Sequence, residues 1–201
     1  MVFTIYHHYG ENMMIELIFN RVTYWDTACF MSIFRWSSQR CASRIFSWIS
    51  HSGDGYLYPL VGMLVFLFAP SSASKFILAG CTAYALELTA YKFLKNNIKR
   101  NRPCCALSGI KNGVDTIDQF SFPSGHTAAA FSMATLLYYF FPVLSLLVFS
   151  WAFLVGFSRV YLGVHYPTDV AAGMMLGSIS AFAGIVIVMY KLLPPLPFPF
   201  P

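Results

Sequence analysis

Val143–Met189 reads VLSLLVFSWAFLVGFSRVYLGVHYPTDVAAGMMLGSISAFAGIVIVM. Its only Lys, Arg, Asp or Glu residues are Arg159 and Asp169, which flank the turn-forming Gly163–Pro167. A bilayer hydrocarbon core of about 30 Å requires about 20 mostly apolar residues per helix. The stretch therefore reads as two spanning helices, Val143–Leu162 and Thr168–Met189, with charge confined to their junction.

Working outward, Ser74–Phe93 and Ser124–Phe141 are further spans, and Gly55–Ala69 is a fifth and shorter one. Pro70 with Ser71 and Ser72, Pro142, and Gly163–Pro167 separate them as breakers. The expected fold is all-α: a polytopic membrane helix bundle of five to six transmembrane helices with N-terminal interfacial helices. It forms one membrane-embedded domain, with an interfacial or amphipathic region over 1–50, a transmembrane core over 51–190 and a Pro-rich tail over 191–201. In the first fifty residues Glu16, Arg21, Asp26, Arg35, Arg40 and Arg44 interrupt the apolar pattern. One or two amphipathic helices lying in the interface fit this pattern, and a sixth span around Arg21–Phe34 is the other reading. Lys99–Phe120 is polar and turn-rich, so it is expected outside the membrane.

Composition agrees. The chain has 201 residues, 57% hydrophobic and 10% charged, with mean hydropathy +0.60; a soluble domain is about 45–50% apolar and 25% charged. The net charge of +5 lies beside hydrophobic spans, which points to membrane lipids as partners and away from nucleic acid. The five cysteines, two of them adjacent, form no disulfide framework and no zinc spacing. The start carries His7, His8 and Glu11 in place of a basic flank and apolar run, so no cleaved leader is expected.

Three polar stretches stand out: Lys95-x6-Arg102-Pro103, Pro123-Ser124-Gly125-His126, and Ser158-Arg159-x5-His165-x3-Asp169. If the helix continues past the membrane, Lys95 and Arg102 share a face at i and i+7, and Pro103 ends it. Read alone, this run is also a juxtamembrane anchor. Ser124 is a favoured N-cap, and glycine at a helix start lets free N–H groups approach an anion. Arg159 is suited to clamp phosphate with its planar fork. Asp169 is placed to accept a hydrogen bond from His165, which sets the imidazole tautomer, favours its charged form and leaves the other nitrogen free to attack. With five spans, alternation of direction brings all three stretches to one membrane surface. Glu87, Tyr91 and Lys95 lie on one helix face, and Glu87 requires a polar partner inside the bundle. Asp115 and Asp118 read as loop carboxylates, and His51 with Gly53-Asp54-Gly55 reads as a turn before the first span.

The three stretches resemble the signature of the type-2 phosphatidic acid phosphatase superfamily, K-x6-RP, PSGH and SR-x5-H-x3-D, and match every stated position between Lys95 and Asp169. The resemblance implies that His165 is the nucleophile forming a phosphohistidine, oriented by Asp169, and that His126 protonates the leaving oxygen. It implies that Lys95, Arg102, Arg159, Ser124 and the Gly125 N–H bind the phosphate oxygens, without metal or other cofactor. The expected function is a lipid phosphate phosphatase acting on a phosphomonoester or diphosphate headgroup, with undecaprenyl diphosphate, phosphatidylglycerophosphate and phosphatidate as candidates. A catalytically silent lipid-phosphate-binding protein, a lipid-to-acceptor phosphotransferase and haloperoxidase chemistry are the alternatives. The expected location is a bacterial inner membrane with the site on the extracytoplasmic side, although the loop arginines and lysines favour the cytoplasmic side by the positive-inside rule. Neither the particular lipid nor the oligomeric state is specified by the sequence.

Overall fold

The computed structural model describes residues 21–35, 40–110, 113–114 and 119–192. The readings for 1–20 and for the tail beyond 192, and those for Asp115 and Asp118, lie outside the described residues. Within them the chain forms α1 (21–34), α2 (Arg40–Ser52), α3 (Leu57–Phe68), α4 (Pro70–Ile98), α5 (Pro103–Ala106), α6 (Gly125–Phe140), α7 (Ser145–Tyr161) and α8 (Pro167–Val186). A 3-10 turn, Pro142–Leu144, leads into α7, and α8 continues as a π-helical turn, Ile187–Leu192. The described residues form no strand, only an isolated bridge between Asn101 and Phe120.

Helix α6 is the centre, packed on α8, α7 and α4. Phe76, Ala79 and Ala83 of α4 meet Met133 and Leu136 of α6 and Ala181 and Ile185 of α8 in one core. Ala130 and Ala134 of α6 meet Val148, Ala152 and Val155 of α7 in another. Small residues set the α6–α8 distance: a Cβ at Gly177 would lie 2.0 Å from the Ala128 carbonyl oxygen. Close backbone approach of this kind is how helices gain packing where lipid removes the hydrophobic drive. Glu87 has the polar partner its depth requires, with the Ser132 hydroxyl 2.8 Å from Oε2.

Two of the five expected spans meet a membrane-crossing test outright: Pro142–Tyr161, with mean hydropathy 1.9, and Pro167–Tyr190, with 2.0. Helix α3 is apolar but shorter. Helix α4 has 29 residues, about 44 Å at 1.5 Å per residue, and carries Lys75, Glu87, Lys92 and Lys95. Phe68, Leu146 and Phe182 are largely exposed on α3, α7 and α8, so the bundle turns apolar side chains outward.

Proline is pre-shaped for the first turn of a helix, and both Pro70 and Pro103 open one; the first still separates two helices as expected, whereas the second does not end α4. Pro70 divides α3 from α4 by opening the second helix, with only Ala69 between them. Pro103 opens α5; α4 has already ended at Ile98, where Lys99 takes the left-handed conformation at φ 48. Lys95 and Arg102 therefore do not share a helical face.

Candidate active site

The C-terminal end of α4, the N-terminus of α6, the C-terminus of α7 and the N-terminus of α8 meet at one end of the bundle. Gly163, at φ +80, reverses the chain after α7, so that the Val164 and His165 N–H groups both donate to the Arg159 carbonyl at 3.2 Å. This back-fold sets His165 beside the arginine that precedes it. Arg102 arrives from the α4–α5 connection: its Nη1 donates to the Val164 carbonyl at 2.9 Å and lies 3.3 Å from His165 Nε2. Arg159 Nη1 donates to Ser50 Oγ of α2 at 2.5 Å.

Arg102, Arg159, His126, His165 and Gly125 line one end of a cavity of about 1300 Å³. From there the cavity runs between α3, α4 and α6, past Tyr58, Gly62, Phe66, Gly80, Ala129 and Met133. Along α4 it extends from Tyr91 to Phe76, about 22 Å at the helical rise. The space exists because α3 packs chiefly on α4 and stands off from α6.

The remaining expected site residues stand behind this lining. Lys95 is buried and donates to the Tyr91 hydroxyl, and its ammonium lies 4.5 Å from that ring's centroid. Tyr91 lines the cavity and fills the space a Cβ on Gly125 would need, its ring atom 3.0 Å away. Ser124 takes the N-cap position of α6, but its hydroxyl pairs with Thr127 Oγ1 at 2.8 Å rather than with a backbone N–H. Its own N–H donates to the Asp169 carbonyl at 3.0 Å, which ties α6 to α8.

His165 and Asp169 are neighbours, but Nδ1 and Oδ2 are 3.7 Å apart, too far for the expected hydrogen bond. The carboxylate is engaged elsewhere. Its Oδ2 accepts the Tyr166 N–H at 2.8 Å, capping α8, and its Oδ1 accepts Arg100 Nη1 at 2.8 Å. Arg100 also donates to Asp26 Oδ2 of α1 at 2.5 Å, and Asp26 accepts the Thr168 N–H at 3.0 Å. Burial works against the Arg100 charge, but Asp169 and Asp26 more than offset it and raise its pKa. At His165, burial dominates and, reinforced by Arg159 and Arg102 against the opposing Asp169, holds the pKa down to about 3. The imidazole is therefore neutral at physiological pH, not in the charged form that the expected bond to Asp169 would favour, because burial outweighs the carboxylate. Its Nε2 faces Arg102 as an acceptor, so the proton is on Nδ1, towards Asp169.

Sequence reasoning missed Arg100, Asp26, Asp54 and Ser50. Arg100 sat inside a run read as anchoring charge, yet residues two apart in extended chain share a side, and Arg102 already pointed to that side. Asp54 Oδ1 lies 2.6 Å from His126 Nε2. Among the described residues no group of three His, Cys, Asp or Glu side chains is arranged to hold a metal ion.

A family model described as the PAP2 superfamily matches residues 76–193, and the chain belongs to that superfamily. Over 137 residues it is 36% identical to decaprenylphosphoryl-5-phosphoribose phosphatase of Mycobacterium tuberculosis, covering 65% of this chain and 71% of that one. The structure of Aquifex aeolicus LpxE superposes with a TM-score of 0.69 at 28% identity, over 79% of this chain and 93% of that one. The transmembrane PAP2-type phosphatidylglycerolphosphate phosphatase of Bacillus subtilis gives 0.65 at 30% identity, over 82% and 85%. The matches span 39%, 60% and 71% of the length of three of the curated relatives. With its two apolar helices and outward-facing apolar side chains, the chain is an integral membrane protein of this helical kind.

Proposed function

We propose that the protein is a membrane lipid phosphatase that hydrolyses a phosphomonoester or diphosphate headgroup through a phosphohistidine on His165. One observation carries this reading: two arginines and two histidines form one end of a cavity whose remainder is lined mainly by apolar and aromatic side chains and runs along α4. A headgroup fits the charged end and an acyl or prenyl chain the rest. The names of the similar proteins, which include phosphatases of a decaprenyl and a phosphatidyl phosphate, support a lipid substrate.

Arg102 and Arg159 take the phosphate oxygens in bidentate contacts, and the α6 N-terminus adds N–H groups beside Gly125. The Nε2 lone pair of His165 attacks phosphorus. The bond to the leaving oxygen breaks, and that oxygen takes a proton from His126. The ring of His165 becomes cationic and closes on Asp169. Water then attacks phosphorus, gives its proton to His126, and the P–N electron pair returns to Nε2. Phosphoryl transfer is largely positioning and charge stabilisation, which fixed guanidinium groups supply here. Undecaprenyl diphosphate, phosphatidylglycerophosphate and phosphatidate are the candidate substrates, presented at the extracytoplasmic face of a bacterial inner membrane.

The test is phosphate release from a panel of these lipids in detergent. Release that persists in chelator and is lost in His165→Ala supports the reading, together with an acid-labile phosphoenzyme on rapid quench. Release abolished by chelator, or retained by His165→Ala, overturns it.

A further inference from the structure

Asp54 lies in the turn between α2 and α3, outside the residues 76–193 that match the family. Its two oxygens have separate tasks. Oδ1 is 2.6 Å from His126 Nε2, while Oδ2 accepts from His51 Nδ1 at 3.0 Å and from the Tyr56 hydroxyl at 3.2 Å. Asp54 and His126 both line the charged end of the cavity. The carboxylate is therefore held from its far side and presented to the imidazole. Burial tends to raise the Asp54 pKa, but the His51 hydrogen bond and the His126 contact outweigh it and keep the group ionised.

We infer that Asp54 is a positioning residue for proton delivery: it holds His126 by Nε2–H in its charged form and leaves Nδ1 to protonate the leaving oxygen. The groups that face His126 are Asp54 from the α2–α3 turn, Arg159 from α7 and Arg102 from the α4–α5 connection, with His51 and Tyr56 acting through Asp54. Tyr91 of α4 packs against the adjacent Gly125. Burial most of all, and then Arg159 and Arg102, disfavour a proton on the imidazole, while Asp54 favours it. A phosphate dianion bound between the two arginines cancels much of their charge and itself attracts a proton, so dianion and Asp54 carboxylate together offset burial and load the acid when substrate is present. When the P–O bond breaks, the proton passes from Nδ1 to the oxygen that carries the bonding pair, leaving neutral His126 hydrogen-bonded to Asp54. In the second half of the cycle the attacking water returns a proton to that nitrogen.

The inference rests on the phosphatase reading and is tested on the full chain in detergent, using a lipid phosphate monoester that the wild type hydrolyses. For Asp54→Asn we expect kcat to fall about 10- to 100-fold, with KM changed less than about threefold. The basic limb of the kcat profile, which reports the acid in the substrate complex, moves down by about one pH unit. Asp54→Glu restores the limb. An Asp54→Asn enzyme whose activity drops equally at every pH, with the limb unmoved, overturns the inference, because a merely structural turn would behave that way. So does a variant that binds substrate more tightly with an unmoved limb, because the carboxylate would then be competing with phosphate. A wild type that releases no phosphate from any lipid defeats the phosphatase reading itself, whereas wild-type release lost in His165→Ala, combined with an unmoved limb, defeats only the role given to Asp54.

Discussion

Two histidines, each with a carboxylate partner, face the same cavity, and the two pairs are built differently. His165 is 2% exposed, and its carboxylate comes from the next helical turn of the same hairpin, braced by Arg100 and the Tyr166 N–H. His126 is one-third exposed, and its carboxylate comes from a turn between other helices, braced by His51 and Tyr56. The first pair is kept dry and neutral, which suits a nucleophile. The second is partly wet and hydrogen-bonded to a carboxylate, which suits an acid. Under the same two arginines, one fold thus gives two imidazoles different exposure and differently braced carboxylates, the difference on which the proposed division of roles rests.

The sharpest way to break this division is to remove each ring. His165→Ala is expected to reduce phosphate release by roughly 10⁴-fold or more, whereas His126→Ala costs about 10²–10⁴-fold. Equal losses together with a trapped phosphoenzyme in His165→Ala would reverse the assignment. Next comes the brace. Arg100→Gln leaves Asp26 and Asp169 as buried carboxylates without their shared cation; breaking such a pair costs about 3–5 kcal/mol, read as a lower unfolding temperature in detergent. The same change is expected to slow kcat while sparing the basic limb that Asp54 is proposed to set, so the two variants separate the pairs. Gly177→Ala tests the frame common to both: forcing a methyl against the Ala128 carbonyl costs about 1–3 kcal/mol, measured by thermal unfolding. The last test concerns pH. His165 titrates near 3 in the folded chain against an ordinary value of 6.5. The unfolded chain therefore binds that proton first, and stability falls as pH drops from 6.5 towards 3. His165→Asn is expected to flatten that acid slope.

The His165 pair was legible in the sequence because its members lie four residues apart around a turn, and Gly163 announces the turn. Helix existence was legible from apolar runs that end in Gly or Pro. What stayed hidden depends on tertiary meeting. Nothing local to Gly53-Asp54-Gly55 distinguishes a carboxylate that caps a turn from one that reaches α6. Arg100 sits among Lys99, Asn101 and Arg102 with no mark of its own. Asp26 lay in a helix read as interfacial, and its burial comes with the tertiary meeting in which Arg100 and the Thr168 N–H donate to it and Phe30 packs on Tyr166. The Lys95–Arg102 geometry was misread because a left-handed Lys99 ends the helix, a conformation that a Lys side chain does not announce.

Asp26, Ser50 and Asp54 have a practical consequence for anyone dividing this chain. A fragment cut to the family-matched portion would keep every motif letter and still lack the groups that hold Arg100, Arg159 and His126 in place. Grafting the catalytic letters onto a shorter scaffold would reproduce the alphabet without the grammar, so transplants ought to carry the opening helices along with the motifs.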